Sequence, residues 1–252
     1  CLTSFNSAIC LPLREDMQQK KAYSLEVGGN TLVAEFTDLT DQANGSVIMR
    51  MGNTAILATA VMGDTERDIP YFPLTVDYEE RFYAAGAILG SRFVRREGRP
   101  TDEAVLSGRV VDRTIRPLFQ SHIRNEIQVV ITILALDEFD PDVLAVNAAS
   151  LALATSDIPW NGPVSAVRIG KHRDNGGMEV NPSYLYRGNE DFELDLTICG
   201  RNGNINMVEV GSDELHEDTI SEAFQKASEE IEKIQVWQKE IIADIGKTKR
   251  DM

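Results

Sequence analysis

Residues Gln128 to Leu136 read QVVITILAL, a nearly continuous apolar run of strand length. A central strand covered on both faces needs a run of this kind, so the chain must be built around a sheet. Directly behind it, Asp142 to Thr155 is rich in Ala and Leu and predicts a buried helix. Thr31 to Leu39 alternates and is β-rich. Gly45 to Met51 and Thr54 to Met62 are two apolar β runs joined by Gly52-Asn53, which predicts a tight hairpin because glycine supplies the positive φ of the turn. Thr65 to Tyr71 is polar and loop-like. Phe72 to Tyr78 predicts a further strand, with Pro73 placing it at a start or an edge. Pro163 to Ile169, Glu193 to Cys199 and Ile205 to Val210 predict strands, and Asn175-Gly176-Gly177 a turn. Asp218 to Ile245 carries Ile220, Phe224, Ala227, Ile231, Ile234 and Ile241 near helical spacing, which predicts a long amphipathic helix. Strands, helix, strand, helix, strands and helix in that order describe an α+β layered fold with one core.

The charge is unevenly placed. The chain carries a net −15, yet Arg92 to Arg116 holds seven arginines, Arg92, Arg95, Arg96, Arg99, Arg109, Arg113 and Arg116, against four acids. Tyr83 to Ser91, with Gly86 and Gly90, is a loop leading into this stretch. Pro100-Thr101-Asp102-Glu103 is a helix start, with Thr101 as cap and the acids at the positive end of the dipole. On that helix Arg109, Arg113 and Arg116 share one face, and Ala104, Gly108, Val111 and Ile115 form another suited to packing on a sheet. Pro117 stops it. The planar guanidinium fork binds phosphate in two-pronged fashion, so one reading is a phosphate polyanion. The other is a solvated or salt-bridged arginine helix, paired with carboxylates such as Asp77, Glu79 or Asp112.

Composition limits the alternatives. A pI of 4.6 excludes nucleic-acid binding over the whole surface and leaves only local contact. The three cysteines, Cys1, Cys10 and Cys199, make no disulfide framework, and His122, His172 and His216 show no zinc spacing. His122, Cys199 and Trp160 read as core or surface residues. No apolar run approaches the ~20 residues of a membrane span. Residues 1–16 precede Met17 and read as a leader or extraneous segment.

Three motifs go further. Val76-Asp77-Tyr78-Glu79-Glu80-Arg81, Arg95-Arg96-Glu97-Gly98-Arg99-Pro100 and Asp112-Arg113-Thr114-Ile115-Arg116-Pro117-Leu118-Phe119 closely resemble the first ribonuclease-PH-like core of the polynucleotide phosphorylase family. The likeness runs from about Ala22 to the end and takes in Asn161-Gly162-Pro163 and Asn206-Met207-Val208-Glu209. It implies a ribonuclease-PH-like mixed sheet packed with helices, plus a C-terminal helix. Residues 17–245 would be the core domain and 246–252 the opening of the family's helical linker. It also implies 3′-to-5′ phosphorolysis of single-stranded RNA by inorganic phosphate, assisted by Mg2+ or Mn2+, in a cytoplasmic homotrimer.

The same resemblance implies a division of labour between cores, with the phosphate and metal seats in the second. At the family's phosphate-binding Ser-rich loop this chain has Asp140-Pro141-Asp142, two carboxylates and a residue with no N–H. At the catalytic acid segment it has Asn189, then Glu193-Leu194-Asp195-Leu196-Thr197. Asp195 survives, an acid has become Asn189 and a lysine Thr197. A lone Asp195 is a poor metal site and reads as structural. No catalytic or metal residue is therefore expected in this copy. The family's RNA-gripping loop corresponds to Phe93, Arg95, Arg96 and Arg99, with Phe93 stacking on a base and the arginines on phosphates. Val94 replaces a second aromatic, the loop is one residue longer at Ser91 or Arg92, and Ala87 stands where a basic residue is common. Arg92, Arg109, Arg113 and Arg116 are candidates for RNA contact or structural support. A stand-alone RNA-binding or assembly module and a one-domain exoribonuclease are the competing expectations.

Overall fold

The computed structural model describes residues 21–88, 90, 98–174, 176–183 and 192–251. Strands β1 (Lys21–Val27) and β2 (Asn30–Phe36) form a hairpin around Gly28 and Gly29, both at positive φ. Sequence reasoning missed β1, although a Gly-Gly pair between two alternating runs is a hairpin signal. Strands β3 (Gly45–Met51) and β4 (Thr54–Glu66) form the predicted hairpin, closed at Met51 and Thr54. Glycine is required at position 52 twice over: its φ is 57°, and a Cβ there would lie 2.8 Å from the Phe139 ring.

Strand β5 (Leu74–Glu79) is an edge strand, as Pro73 predicts, in a sheet ordered β1-β2-β3-β4-β6-β5. Its neighbour β6 (Asn125–Ala135) runs parallel to it and antiparallel to β4. The β5-to-β6 crossover is helix α1 (Asp102–Ile115). Position within the sheet matches the sequence expectation for β6, but two-sided burial does not. Ile127, Val129, Ile131 and Ile133 are buried, while Gln128, Val130 and Thr132 between them are not. Helices cover one face of this sheet, so the alternation of a one-sided strand returns beneath an apolar run.

A second sheet is fully antiparallel and ordered β10-β9-β7-β8, built from β7 (Ser165–His172), β8 (Met178–Val180), β9 (Phe192–Arg201) and β10 (Asn204–Ser212). Between the sheets lies α2 (Pro141–Thr155), buried at every residue except Asp142 and packed against β3, β4 and β7. The approach is close enough that a Cβ on Gly45 would sit 2.1 Å from the Ala152 carbonyl. Helix α3 (Glu217–Ile245) closes the second sheet, packing on β7 and β9, on α2 and on β1. One continuous apolar cluster joins both sheets and all three helices. Each fully buried Leu or Ile in it contributes about 1.5–3 kcal/mol.

A helix buried all round must satisfy its polar side chains internally. Asn147 does so by imitating a strand: its Nδ2 donates to Ala166 O at 2.9 Å, and its Oδ1 accepts from Ala166 N at 3.1 Å. Ser150 Oγ accepts from Val164 N at 2.9 Å and donates to Gln238 Oε1 at 2.7 Å. From α3, Gln235 Nε2 donates to Pro163 O, and Gln238 Nε2 to Val164 O. The last carbonyls of α2 are capped from far along the chain. Lys249 Nζ donates to Leu153 O at 2.8 Å, Ala154 O at 3.0 Å and Ser156 O at 2.7 Å, a cation at the negative end of the helix dipole.

Replacing Asn147 with Leu leaves the Ala166 N–H and C=O buried without partners, at ~1–3 kcal/mol for such a loss. The expected result is a fall of about 2–3 kcal/mol in urea unfolding free energy with an unchanged denaturant slope.

Candidate functional site

Helix α1 starts where the sequence places it. Thr101 Oγ1 accepts from Ala104 N at 3.0 Å and donates to Glu80 Oε2 at 2.8 Å, tying the helix start to the end of β5. Ala104, Gly108, Val111 and Ile115 are the buried face. The helix ends at Ile115, and a 3-10 turn over Arg116–Leu118 takes up Pro117.

The three helix arginines divide. Arg116 is a strut. It makes a two-pronged pair with Asp112 (Nε to Oδ2 3.0 Å, Nη2 to Oδ1 2.6 Å), donates to Leu74 O at 3.1 Å, and lies 5.9 Å from the centre of the Phe72 ring. Arg109 and Arg113 are exposed and form no ion pair among the described residues. Arg113 instead lines a shallow cleft beside Asn206, Met207 and Val208 on β10. The other carboxylates considered as helix partners are engaged elsewhere: Asp77 accepts from Gln128 Nε2 at 2.7 Å, and Glu79 pairs with Arg81.

Of the loop residues, Arg92, Phe93, Arg95 and Arg96 lie outside the described residues. Arg99 is exposed and lines an open cleft of about 510 Å³ at the foot of that loop. Glu79, Glu80, Arg81 and half-exposed Phe82 line this cleft together with Gly98 to Thr101, Ile133, Leu136 and Pro141. Apolar side chains share the lining with both acids and arginines.

The cleft ends at the N-terminus of α2, where sequence reasoning placed Asp140-Pro141-Asp142. Asp140 caps the helix, its Oδ1 accepting from Asp142 N at 2.9 Å. Pro141 opens the first turn without an N–H. Tyr78 Oη donates to Asp142 Oδ1 at 3.0 Å. Burial first, and then the nearby Asp142 and Asp140 charges, push the Tyr78 phenol well above its ordinary pKa. A helix start already capped by a carboxylate offers little to a second anion.

One residue that sequence reasoning passed over organises this corner. Arg168 on β7 reaches Asp140 with Nη1 and grips Asp195 on β9 in two-pronged fashion, its Nε donating to Oδ1 at 2.6 Å and its Nη2 to Oδ2. The Arg168 and Asp140 side chains are only 8% and 6% exposed, whereas Asp195 is 41% exposed, so the cluster opens on the Asp195 side. Burial opposes the charge on Arg168. The hydrogen bonds to Asp195 and the fields of Asp140, Asp195 and Asp142 outweigh it and hold the guanidinium above its ordinary pKa. The signal was present: an arginine inside the apolar run Pro163 to Ile169 demands a buried carboxylate. Which carboxylate it takes is set by pairing across 28 and 27 positions. Asn189 lies outside the described residues, and Thr197 is buried on β9.

These residues do not fit a divalent metal ion. Both Asp195 oxygens serve Arg168, and Asp140 divides its oxygens between Arg168 and the helix cap. Among the described residues no group of three or more His, Cys, Asp or Glu converges on a possible metal position. Trp160 is buried with Nε1 donating to Ile115 O at 3.1 Å, and burial pushes the Cys199 thiol up to about 12. No helix of the described residues is long and apolar enough to cross a membrane.

This two-sheet architecture, with a buried helix between the sheets and an arginine-rich crossover, has relatives. Residues 31–159 match the model of the 3′ exoribonuclease family, domain 1, and residues 162–230 that of its domain 2. The chain belongs to the 3′ exoribonuclease family. Within it, the chain is similar to polyribonucleotide nucleotidyltransferases. It is 42% identical over 236 residues to that of Shouchella clausii and to that of Geobacillus kaustophilus, and 43% identical over 235 residues to that of Lysinibacillus sphaericus. Each match covers 93% of this chain and 32–33% of the relative, so the chain spans about a third of the length of these proteins. The crystal structure of rice (Oryza sativa) Rrp46 superposes with a TM-score of 0.65 at 12% identity, over 88% of this chain and 94% of that one. That likeness bears on the fold.

The partition of the helix arginines is open to measurement. Arg116→Ala is expected to lower unfolding free energy by about 1–2 kcal/mol, because it strips the Leu74 carbonyl and Asp112 of a shared partner. Arg109→Ala and Arg113→Ala are expected to stay within ~0.5 kcal/mol of the parent in the same urea titration.

Proposed function

We propose that this chain is the first core domain of a polyribonucleotide nucleotidyltransferase, binding single-stranded RNA and supporting catalysis by a second core. The observation that carries the reading is the 42–43% identity to polyribonucleotide nucleotidyltransferases across 93% of the chain. In such an enzyme inorganic phosphate attacks the terminal phosphodiester of RNA, the P–O3′ bond breaks, and a nucleoside diphosphate leaves from the 3′ end. The charge that builds on the transferred phosphorus needs cations and donors around it. Mg2+ or Mn2+ supplies that role from the second core, where phosphate also binds. This copy contributes substrate grip and assembly, in a cytoplasmic homotrimer.

Phe93, Arg95, Arg96 and Arg99 are the RNA contacts in this reading. Phe93 stacks on a base, worth ~1–3 kcal/mol, and the arginines hold phosphates. Support for this placement comes from the cleft at the foot of the loop, with Arg99 and Phe82 on its walls. Arg109 and Arg113 extend the basic surface along α1, since neither is paired with a carboxylate among the described residues. Support for a non-catalytic role comes from Arg168, which takes up the carboxylates at the positions where the chemistry would sit. Residues 246–252 belong to the start of the linker domain in this reading.

Two measurements test it. The purified chain, given poly(A), inorganic phosphate and Mg2+, is expected to release no nucleoside diphosphate; release would instead identify a one-domain phosphorolytic exoribonuclease. Replacing Arg95 and Arg96 together with Ala is expected to weaken single-stranded RNA binding about equally for all sequences. The same change should reduce the slope of log K against log salt by about 1–2. Unchanged affinity and slope would remove the RNA-grip role.

A further inference from the structure

Arg168 does more than fill a gap in the core. It stands where β7, β9 and the start of α2 meet, and two carboxylates from separate elements converge on its charge. Its backbone is pinned as well: Arg168 N donates to Asn181 Oδ1 at 3.0 Å, and Asn181 N donates to Arg168 O at 2.8 Å. Asn181 holds a left-handed conformation at φ 50° and is 7% exposed. A small cavity of about 10 Å³, close to the size of one water, is lined by Asp140, Arg168 and Asn181 together with apolar neighbours. The buried Nδ2 of Asn181 has no hydrogen-bond partner among the described residues.

Without the guanidinium, the corner would hold two carboxylates from different elements, room for one water and an opening on the Asp195 side. Hard divalent cations are held by carboxylate oxygens, supplemented by water. Two unneutralised carboxylates at this depth would otherwise repel and take up protons. We propose that Arg168 is a built-in cation, standing at the junction of α2, β7 and β9 in the place of a divalent metal ion and excluding one from this copy. The inference deepens the reading of this domain as a non-catalytic core and gives that reading a physical cause. Asp195 is then kept as the partner of a guanidinium, and the planar fork delivers fixed charge without a metal pool or an exchangeable ligand.

The probe is Mn2+ alone, without RNA or phosphate, so the outcome is independent of whether the chain binds RNA or cuts it. Manganese binding and thermal midpoint are measured for the full chain and for Arg168→Ala, Arg168→Lys and Arg168→Ala combined with Asp195→Asn. Arg168→Ala is expected to gain one Mn2+ site at least ~10-fold tighter than any in the parent, with its midpoint rising several degrees in Mn2+. The parent and Arg168→Lys are expected to show no such site, and the double variant to lose it. An equal Mn2+ response in the parent, a new site in Arg168→Lys, or a site in Arg168→Ala that survives loss of Asp195 would each overturn the proposal. So would the absence of any gain in folded Arg168→Ala. If Arg168→Ala does not fold, it is refolded with Mn2+ and with sodium chloride at equal ionic strength. Recovery in Mn2+ alone supports the proposal, and failure in both, or equal recovery in both, overturns it.

Discussion

Helix α2 has no exposed side, and the rest of the molecule is arranged to make that possible. An amphipathic helix needs one apolar partner, whereas a helix buried all round needs partners on every side and an internal answer for each polar atom. Two sheets supply the apolar walls. The start of β7 and Gln238 of α3 satisfy Asn147 and Ser150, and Lys249 satisfies the C-terminal carbonyls. At the other end Asp140 is the cap, and its second oxygen turns toward β7. Placing α2 therefore places Asp140, and Arg168 then draws β7 and β9 to it. The corner that would concern chemistry is fixed by the same constraint that fixes the core.

The arginines of this acidic chain sort by what surrounds them. Arg168 is held by two carboxylates in the interior and has no charge to offer a ligand. Arg116 spends its fork on Asp112, on the carbonyl of Leu74 at the start of β5 and on that of Phe72 just before it. Arg109 and Arg113, on α1, are exposed and form no ion pair among the described residues. An exposed guanidinium of this kind attracts anions in a salt-dependent way. Spacing alone could not separate the three. Arg116 lies just past the end of α1, in the 3-10 turn, which brings it level with the start of β5.

Much of the fold was legible because local signals agreed. The Gly52-Asn53 turn, the Thr101 cap with its two acids, the apolar stripe of α3 and the unbroken apolar character of α2 each specify their element without outside help. What escaped notice depends on distance along the chain. Strand β8 is three residues long and exists only as a partner of β7. The one-sided burial of β6 follows from where the helices pack, which its own apolar run does not reveal. Arg168 was plain as a charged residue in an apolar strand, but its two partners lie 28 residues before it and 27 after it. The phosphate-loop positions and the surviving Asp195 were picked out singly. That one guanidinium joins them could be seen only once β7, β9 and α2 were brought together.

Asp195 shows why an acid beside a cleft or a cap does not by itself make a metal site. A carboxylate that is to hold a metal ion must face other oxygens and be left unpaired by the protein, so that its charge is free for the cation. A carboxylate that is to hold two elements together must be paired, and breaking one member of a buried pair costs about 3–5 kcal/mol. Those demands oppose each other at the same atom. In this chain the second is met: both oxygens of Asp195 lie on one fork, and the remaining charge of the fork lies on Asp140. The arginine that meets that demand stands on β7, the strand paired with that of Asp195, and it holds both oxygens of the aspartate.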